Sequence, residues 1–306
     1  MLAMIRGFVA LTLTFIANMG LVSVLWGAVW YCTPEPLWNG VKDMLVFLHI
    51  PPTAENLILN LSLVTIFVPC LFCRTWLMQR IILFMMGARK ATGKDYEKLS
   101  GALRLVCEKE NRALDDYNLY VLEEAECNAA AFGKNNIIVT RGAIDKLWTL
   151  PLAGILAHEA GHIHNGDTRI NILLSCMGFF GDMAVSILNL TVMVCNWFVW
   201  VPIVNIVLGI YTWAVAICLT VIHFVINAPS LLVTLLFSRY EEYDADRYAC
   251  ELGFAAELYK GLSFVTRSEK PVGFVDSFWS THPVTEKRLK RIRQYMGRVE
   301  EDEKYD

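Results

Sequence analysis

His158-Glu159-Ala160-Gly161-His162 places two histidines four positions apart. On a helix they project from one face with Cβ atoms roughly 5–6 Å apart, close enough to grip one metal ion. Glu159 stands one step round the helix, where a carboxylate can hold and deprotonate a water on that metal. Two ligands and a general base on one helical turn are the equipment of zinc-assisted hydrolysis. The flanks place this chemistry. An apolar helical approach, Leu152 to Ala157, precedes the motif, and a long apolar run follows it. The stretch therefore predicts a metal-bearing helix at a membrane surface.

Composition agrees. Of the 306 residues, 55% are hydrophobic and 19% charged, which is too apolar for an ordinary soluble domain and points to several spans. The net charge is −3 and no basic block offers a footing for nucleic acid; Glu300 to Asp306 reads as a solvated acidic end. Nine cysteines are an odd number, and Cys176, Cys195 and Cys218 fall inside apolar runs. That argues against a disulfide framework and for a reducing compartment around the polar part.

Gly7 to Pro34 carries no charge and, at about 1.5 Å per residue, easily crosses a core of about 30 Å. It is too long for a signal-peptide core and lacks a small-residue cleavage site, so it reads as a retained anchor, with a first span over 7–31. A second span covers 57–77, with Pro69 a candidate kink. No Asp, Glu, Lys or Arg occurs between Asp182 and Arg239, only His223. That run holds a third span, 171–197, and a fourth, 203–237, with a hairpin near Asn196 to Asn205 marked by Trp197, Trp200 and Pro202. Pro229 is expected to kink the last. The loop from Cys32 to Asn56 has one Lys and no Arg, whereas Arg74, Arg80, Arg89, Lys90, Lys94 and Lys98 follow the second span. Positive charge thus predicts both termini and the polar domain on the cytoplasmic side.

The polar domain comes in two pieces, 88–169 and 238–306. The first opens with a helical pattern, Tyr96 to Leu114. Short β-like runs follow at Asn118 to Leu122, Asn128 to Phe132 and Asn136 to Thr140, the last two joined by Gly133-Lys134-Asn135. Helices are expected from about Arg141, from about Leu152, and at Arg239 to Gly253, Ala255 to Ser263 and Thr285 to Arg298. The predicted class is a membrane protein, mainly α with a small β-sheet: four transmembrane helices and a cytoplasmic α+β catalytic domain split by the third and fourth spans.

A third protein ligand would leave one coordination position open for water. Ser238-Arg239-Tyr240-Glu241-Glu242-Tyr243-Asp244-Ala245-Asp246 lies where the fourth span emerges on the side of the metal helix. On a helix Glu242 and Asp246 share a face, so Glu242 fits as ligand and Asp246 as acceptor of a histidine N–H that fixes its tautomer. Glu241 is the rival ligand, with poorer spacing to Asp246.

HEAGHIHNGD (158–167), two apolar spans and then SRxxEYxAD (238–246) resemble the integral-membrane gluzincin metallopeptidases, most closely the HtpX-type heat-shock proteases and more distantly the CAAX prenyl endopeptidases. The resemblance covers most of the chain. It implies one zinc ion per chain held by His158, His162 and Glu242, Glu159 as base and Asp246 behind a ligand histidine. Thr281-His282-Pro283 with Arg288 resembles the family's C-terminal element, which implies His282 at the oxyanion and Arg288 in support. Asn128 to Gly133 resembles the edge strand on which substrate lies extended, making Asn128, Ala129, Ala130 and Ala131 the substrate-binding residues. It also implies quality-control endoproteolysis, linked to stress, of unfolded or membrane-protein substrates at the inner membrane of a bacterial-type cell. A processing protease for defined peptides or lipidated tails would need a larger intramembrane chamber than four spans provide. A non-enzymatic zinc-stabilised scaffold would not need Glu159, His282 or an edge strand.

Other polar positions read more plainly. His164 is off the ligand face and reads as solvated. Cys70 and Cys73 form a CxxC inside an apolar span without a second pair. Cys127 reads as a small packed residue. Asp182 and His223 are costly in a bilayer and would pair or line a wet cavity.

Overall fold

The computed structural model describes residues 2–177, 238–268 and 285–302, with scattered residues between 186 and 224. The expected hairpin at 196–205, Asp182, His223, Pro229 and Thr281-His282-Pro283 lie outside the described residues. By its contacts the chain divides into two compact units: Met1–Gly7 with Arg74–Ile172 and Thr234–Asp306, and Phe8–Cys73 with Leu173–Val233.

The second unit contains α1 (Leu2–Cys32), α2 (Asn39–Phe47) and α3 (Ala54–Cys73). Ile5–Tyr31 and Ala54–Cys73 are long and apolar enough to cross a membrane. Small polar groups join them. Ser23 donates to the Ser62 hydroxyl at 3.1 Å, and the Trp26 indole N–H to Thr65 at 3.0 Å, the side-chain bonds that hold helices together where water is absent. Outward residues such as Ile16, Val24, Phe67 and Leu71 are exposed. Pro69 sits inside α3 without ending it. The segment after α1, expected as a loop, is built instead around Trp38, buried with its ring 5.2 Å from Trp30 and 6.2 Å from Trp26.

α3 stops at Cys73, short of the expected 77. Thr75 is extended and its hydroxyl accepts the Met78 N–H, so it caps a new helix, α4 (Trp76–Met85), as threonine at an N-cap does.

The first unit is built on a four-stranded sheet of β1 (Arg89–Lys90), β2 (Asn118–Leu122), β3 (Ala129–Phe132) and β4 (Asn136–Thr140). The order is β1-β2-β4-β3, with β2 and β4 parallel and the other pairs antiparallel. Gly133, at φ +67°, starts the turn between β3 and β4. β4 is buried throughout, whereas β3 has a partner on one side only among the described strands. Thr140 caps α6 (Arg141–Lys146).

Helix α5 (Gly93–Glu110) and α7 (Thr149–Asn165) pack together through Leu99, Leu103 and Val106 against Leu152 and Leu156. α7 is followed by α8 (167–177), and the chain resumes with α9 (238–251), α10 (Ala255–Ser268) and α11 (Thr285–Asp302). Leu258 and Leu262 of α10 close the other side of α7. A Cβ at Gly154 would collide with the Leu258 backbone nitrogen, so α7 and α10 meet main chain to main chain. Residues 152–161 of α7 are all buried. A helix enclosed on every side is a core helix, and this one carries the histidines inward.

Candidate metal centre

His158 and His162 stand one turn apart on α7 and Glu242 faces them from α9. One ligand atom from each lies within 4.8 Å of the others. His158 Nε2 is 3.4 Å from Glu242 Oε2, and His162 Nε2 is 3.6 Å from Oε1. Zinc ligands at about 2.0–2.1 Å in a tetrahedron stand about 3.3–3.4 Å apart, so the two histidine–glutamate gaps suit a small divalent cation.

The opposite ring nitrogens are both held by carboxylates. His158 Nδ1 lies 3.0 Å from Asp246, and His162 Nδ1 lies 3.0 Å from Asp167. An Nδ1–H donated to a carboxylate leaves the Nε2 lone pair directed away from it and raises its basicity. Both histidines thus present Nε2 towards the same glutamate. Asp167 follows Gly166, which ends α7 at φ +83° and turns the chain back towards His162. Its neighbour Thr168 donates to the Gly133 carbonyl at 2.7 Å, so the same turn also holds the β3–β4 hairpin.

Arg288 of α11 completes the cluster. Its Nη1 lies 2.7 Å from Glu242, and its Nε and Nη2 donate to the two oxygens of Asp246 at 2.8 and 2.7 Å. Glu159, Asp167, Glu242, Asp246 and Arg288 are all buried. Among the described residues, four carboxylates against one guanidinium leave an excess of negative charge in a low-dielectric interior, which a divalent cation would offset. Burial opposes protonation of both imidazoles. Asp246 and Glu242 nevertheless raise the proton affinity of His158, and Asp167 and Glu242 raise that of His162 further. A potential that draws a proton to these nitrogens also draws a metal ion. Burial pushes the Asp246 carboxyl up, but Arg288 and His158 outweigh it and hold it low.

Glu241 faces elsewhere. Its carboxylate bonds Asn171, and burial with Asp167 nearby pushes its pKa up to about 7. Glu159 is close enough to act electrostatically on His162 and Arg288. Just before β3, Asn128 pairs with Thr140: Thr140 N–H donates to the Asn128 carbonyl at 3.0 Å, and Asn128 N–H to the Thr140 hydroxyl at 2.8 Å. Alternation along an antiparallel pair then turns Ala130 towards β4 and the backbone groups of Ala129 and Ala131 to the outer edge. The Ala129 N–H is taken by the Asn128 side chain at 2.8 Å. His164 is exposed and stacks on Tyr248 at 4.6 Å. Cys127 is buried in the core, and Cys70 and Cys73 are buried free thiols.

Two features escaped the sequence reading. Asp167 closes HEAGHIHNGD, but its approach to a residue five positions earlier depends on the left-handed Gly166. Arg288, expected in support of His282, binds Glu242 and Asp246 across more than forty residues.

A model of peptidase family M48 matches residues 95–296. A curated relative from Tropheryma whipplei (strain TW08/27), named protease HtpX homolog, is 27% identical over 244 residues, covering 70% of this chain and 78% of the relative. A protein of the same name from Aquifex aeolicus (strain VF5) is 27% identical over 252 residues, covering 72% and 79%. Among solved structures, that of S. mikatae Ste24p matches with a TM-score of 0.50 at 18% identity. The match covers 90% of this chain and 65% of that one, so the chain spans just under two thirds of it. At that identity the likeness is one of fold.

Proposed function

The chain belongs to peptidase family M48, and on that premise we propose that it is a zinc-dependent endopeptidase of a bacterial-type inner membrane, acting at the cytoplasmic face on unfolded or membrane proteins. The observation that carries the reading is the pair of imidazoles with Nδ1 held by Asp246 and Asp167 and Nε2 turned to Glu242. These three residues would hold zinc, which supplies Lewis acidity to a water and to the scissile carbonyl. Glu159 accepts the proton of the attacking water and passes it to the leaving amine. Asp246 and Asp167 keep the imidazoles oriented, and Arg288 fixes the Glu242 and Asp246 carboxylates in place. His282 is the proposed donor to the oxyanion, where such a group is worth roughly 10²–10³ in rate. Substrate would lie along the outer edge of β3, in a main-chain pairing tolerant of sequence. Four spans, with the third and fourth inserted between 169 and 238, complete the proposed topology.

Cleavage of casein by purified, detergent-solubilised protein with added zinc tests this against Glu159→Gln. The variant is expected to keep its zinc and lose hydrolysis, because the glutamate is a base and not a ligand. Hydrolysis at the parent rate by metal-replete Glu159→Gln would refute the mechanism.

A further inference from the structure

Away from the candidate metal site, α4 and the sheet frame an open pocket of about 280 Å³. Among the described residues four cations line it, Arg74, Arg80, Lys90 and Lys134, and no carboxylate does. Among the described residues none of the four has an acidic partner within ion-pair distance. Like charges gathered on one concave surface repel one another, and a bound anion relieves that. The wall is built rather than incidental. Gln79 accepts from the Asn136 side chain at 3.1 Å and the Lys134 backbone N–H at 3.4 Å, fastening α4 to the β3–β4 turn, and Leu83 docks the helix from the same side.

The position of the cavity says which anion. Arg74 directly follows Cys73, the last residue of α3. Trp76, with the Arg80 guanidinium 4.9 Å over its ring, is the kind of residue that anchors a chain at headgroup level. Leu77, Phe84 and Met85 leave α4 with an exposed apolar side suited to acyl chains. The volume falls just under the ~300–1,000 Å³ of pockets for drug-sized ligands, enough for a headgroup and not for a whole lipid.

We propose that this cavity binds the phosphate of an anionic phospholipid from the membrane that α3 enters, which rests on reading α3 as a span. The test is calorimetric titration of purified protein, in uncharged detergent, with dioctanoyl phosphatidylglycerol, dioctanoyl phosphatidylcholine and inorganic phosphate. The phosphatidylglycerol should bind more tightly than both others. Arg80→Gln with Lys134→Gln should weaken it roughly 10- to 30-fold, from the worth of two basic residues at an anionic headgroup. Lys90→Gln alone should weaken it several-fold. Arg104→Gln with Lys109→Gln, exposed on α5, should leave it unchanged. All these cations are exposed, and unchanged melting would show the fold intact. Equal affinity for the two lipids, or equal weakening by the two double variants, would overturn the site. Inorganic phosphate binding as tightly as the anionic lipid would overturn the lipid as its source. Alkaline carbonate extraction of membranes tests the span separately: protein that stays in the pellet keeps that reading whatever the calorimetry gives.

Discussion

Asp167 is the sharpest test of the candidate metal site, because sequence spacing gave it no role. Its carboxylate lies 3.0 Å from His162 Nδ1, and its side chain is only 3% exposed, so water screens neither the hydrogen bond nor the charge. Removing such a partner typically costs 10–100-fold in metal affinity, about 1.4–2.7 kcal/mol. Burial puts Asp167→Ala at the upper end, since it removes acceptor and charge together. Asp167→Asn keeps an acceptor oxygen and loses the charge, so it belongs near the lower end. Competition between the purified proteins and a zinc-binding dye at neutral pH reads both affinities. The expected order is parent, then Asp167→Asn about tenfold weaker, then Asp167→Ala approaching a hundredfold weaker. Parent affinity in Asp167→Ala would sink the claim that this aspartate sets the His162 tautomer. Asp167→Ala also leaves Thr168 to hold the β3–β4 turn, so its melting temperature should fall little.

The other expectations concern separate parts of the same unit. Glu242→Gln should bind zinc far more weakly than the parent while Glu241→Gln keeps a full equivalent; metal analysis after dialysis ranks them, and the reverse ranking would move the ligand by one residue. Gly154→Ala should gain about 1 kcal/mol of helix propensity but lose about 3 kcal/mol to overpacking, because backbone and not a flexible side chain stands opposite. A net loss of about 2 kcal/mol in denaturant unfolding is expected, and a gain would mean that α10 yields. Hydrogen bonds from Arg141 and then Arg89 hold the Asp95 carboxyl well below its usual range and draw Glu123 down to about 2. A depressed carboxyl contributes stability above its unfolded pKa, near 4, and loses it as pH falls through the folded value. Arg141→Gln should therefore be less stable than the parent at pH 7, with the gap narrowing as pH falls from about 4 through 2 and lower still for the Asp95 share; a gap constant between about pH 4 and 2 would refute the ion cluster as its source.

Local signals were legible where the chain itself carried them. β2 and β4 fall on the expected residues because short apolar runs, β-branched in β4 and carrying Tyr120 and Val121 in β2, are bounded by turn chemistry. The face shared by Glu242 and Asp246 follows from helical spacing, and the structure turns it onto His158 and His162. What depends on distant or left-handed geometry was not legible. β1 is two residues long and exists only through its pairing with Val121 and Tyr120. The end of α3 is set by the Thr75 cap, a signal hidden inside a continuous apolar pattern. Trp38 looked like part of a loop because its partners, Trp26 and Trp30, belong to the preceding helix. Arg288 reaches its carboxylates only after α11 folds back on α9.

One small detail sets a dimension. Gly161 lies between His158 and His162, and a Cβ there would stand 3.1 Å from Ala245 Cα and 3.2 Å from its carbonyl oxygen. Ala245 in turn sits one helical turn beyond Glu242. The gap between the histidine helix and the third ligand is thus a spacer of bare main chain and one methyl group, with nothing soft to give. A site braced this way has its histidine-to-glutamate distance set by backbone contact. A bulkier residue at 161 would push α9, and Glu242 with it, away from the histidines without touching a single ligand.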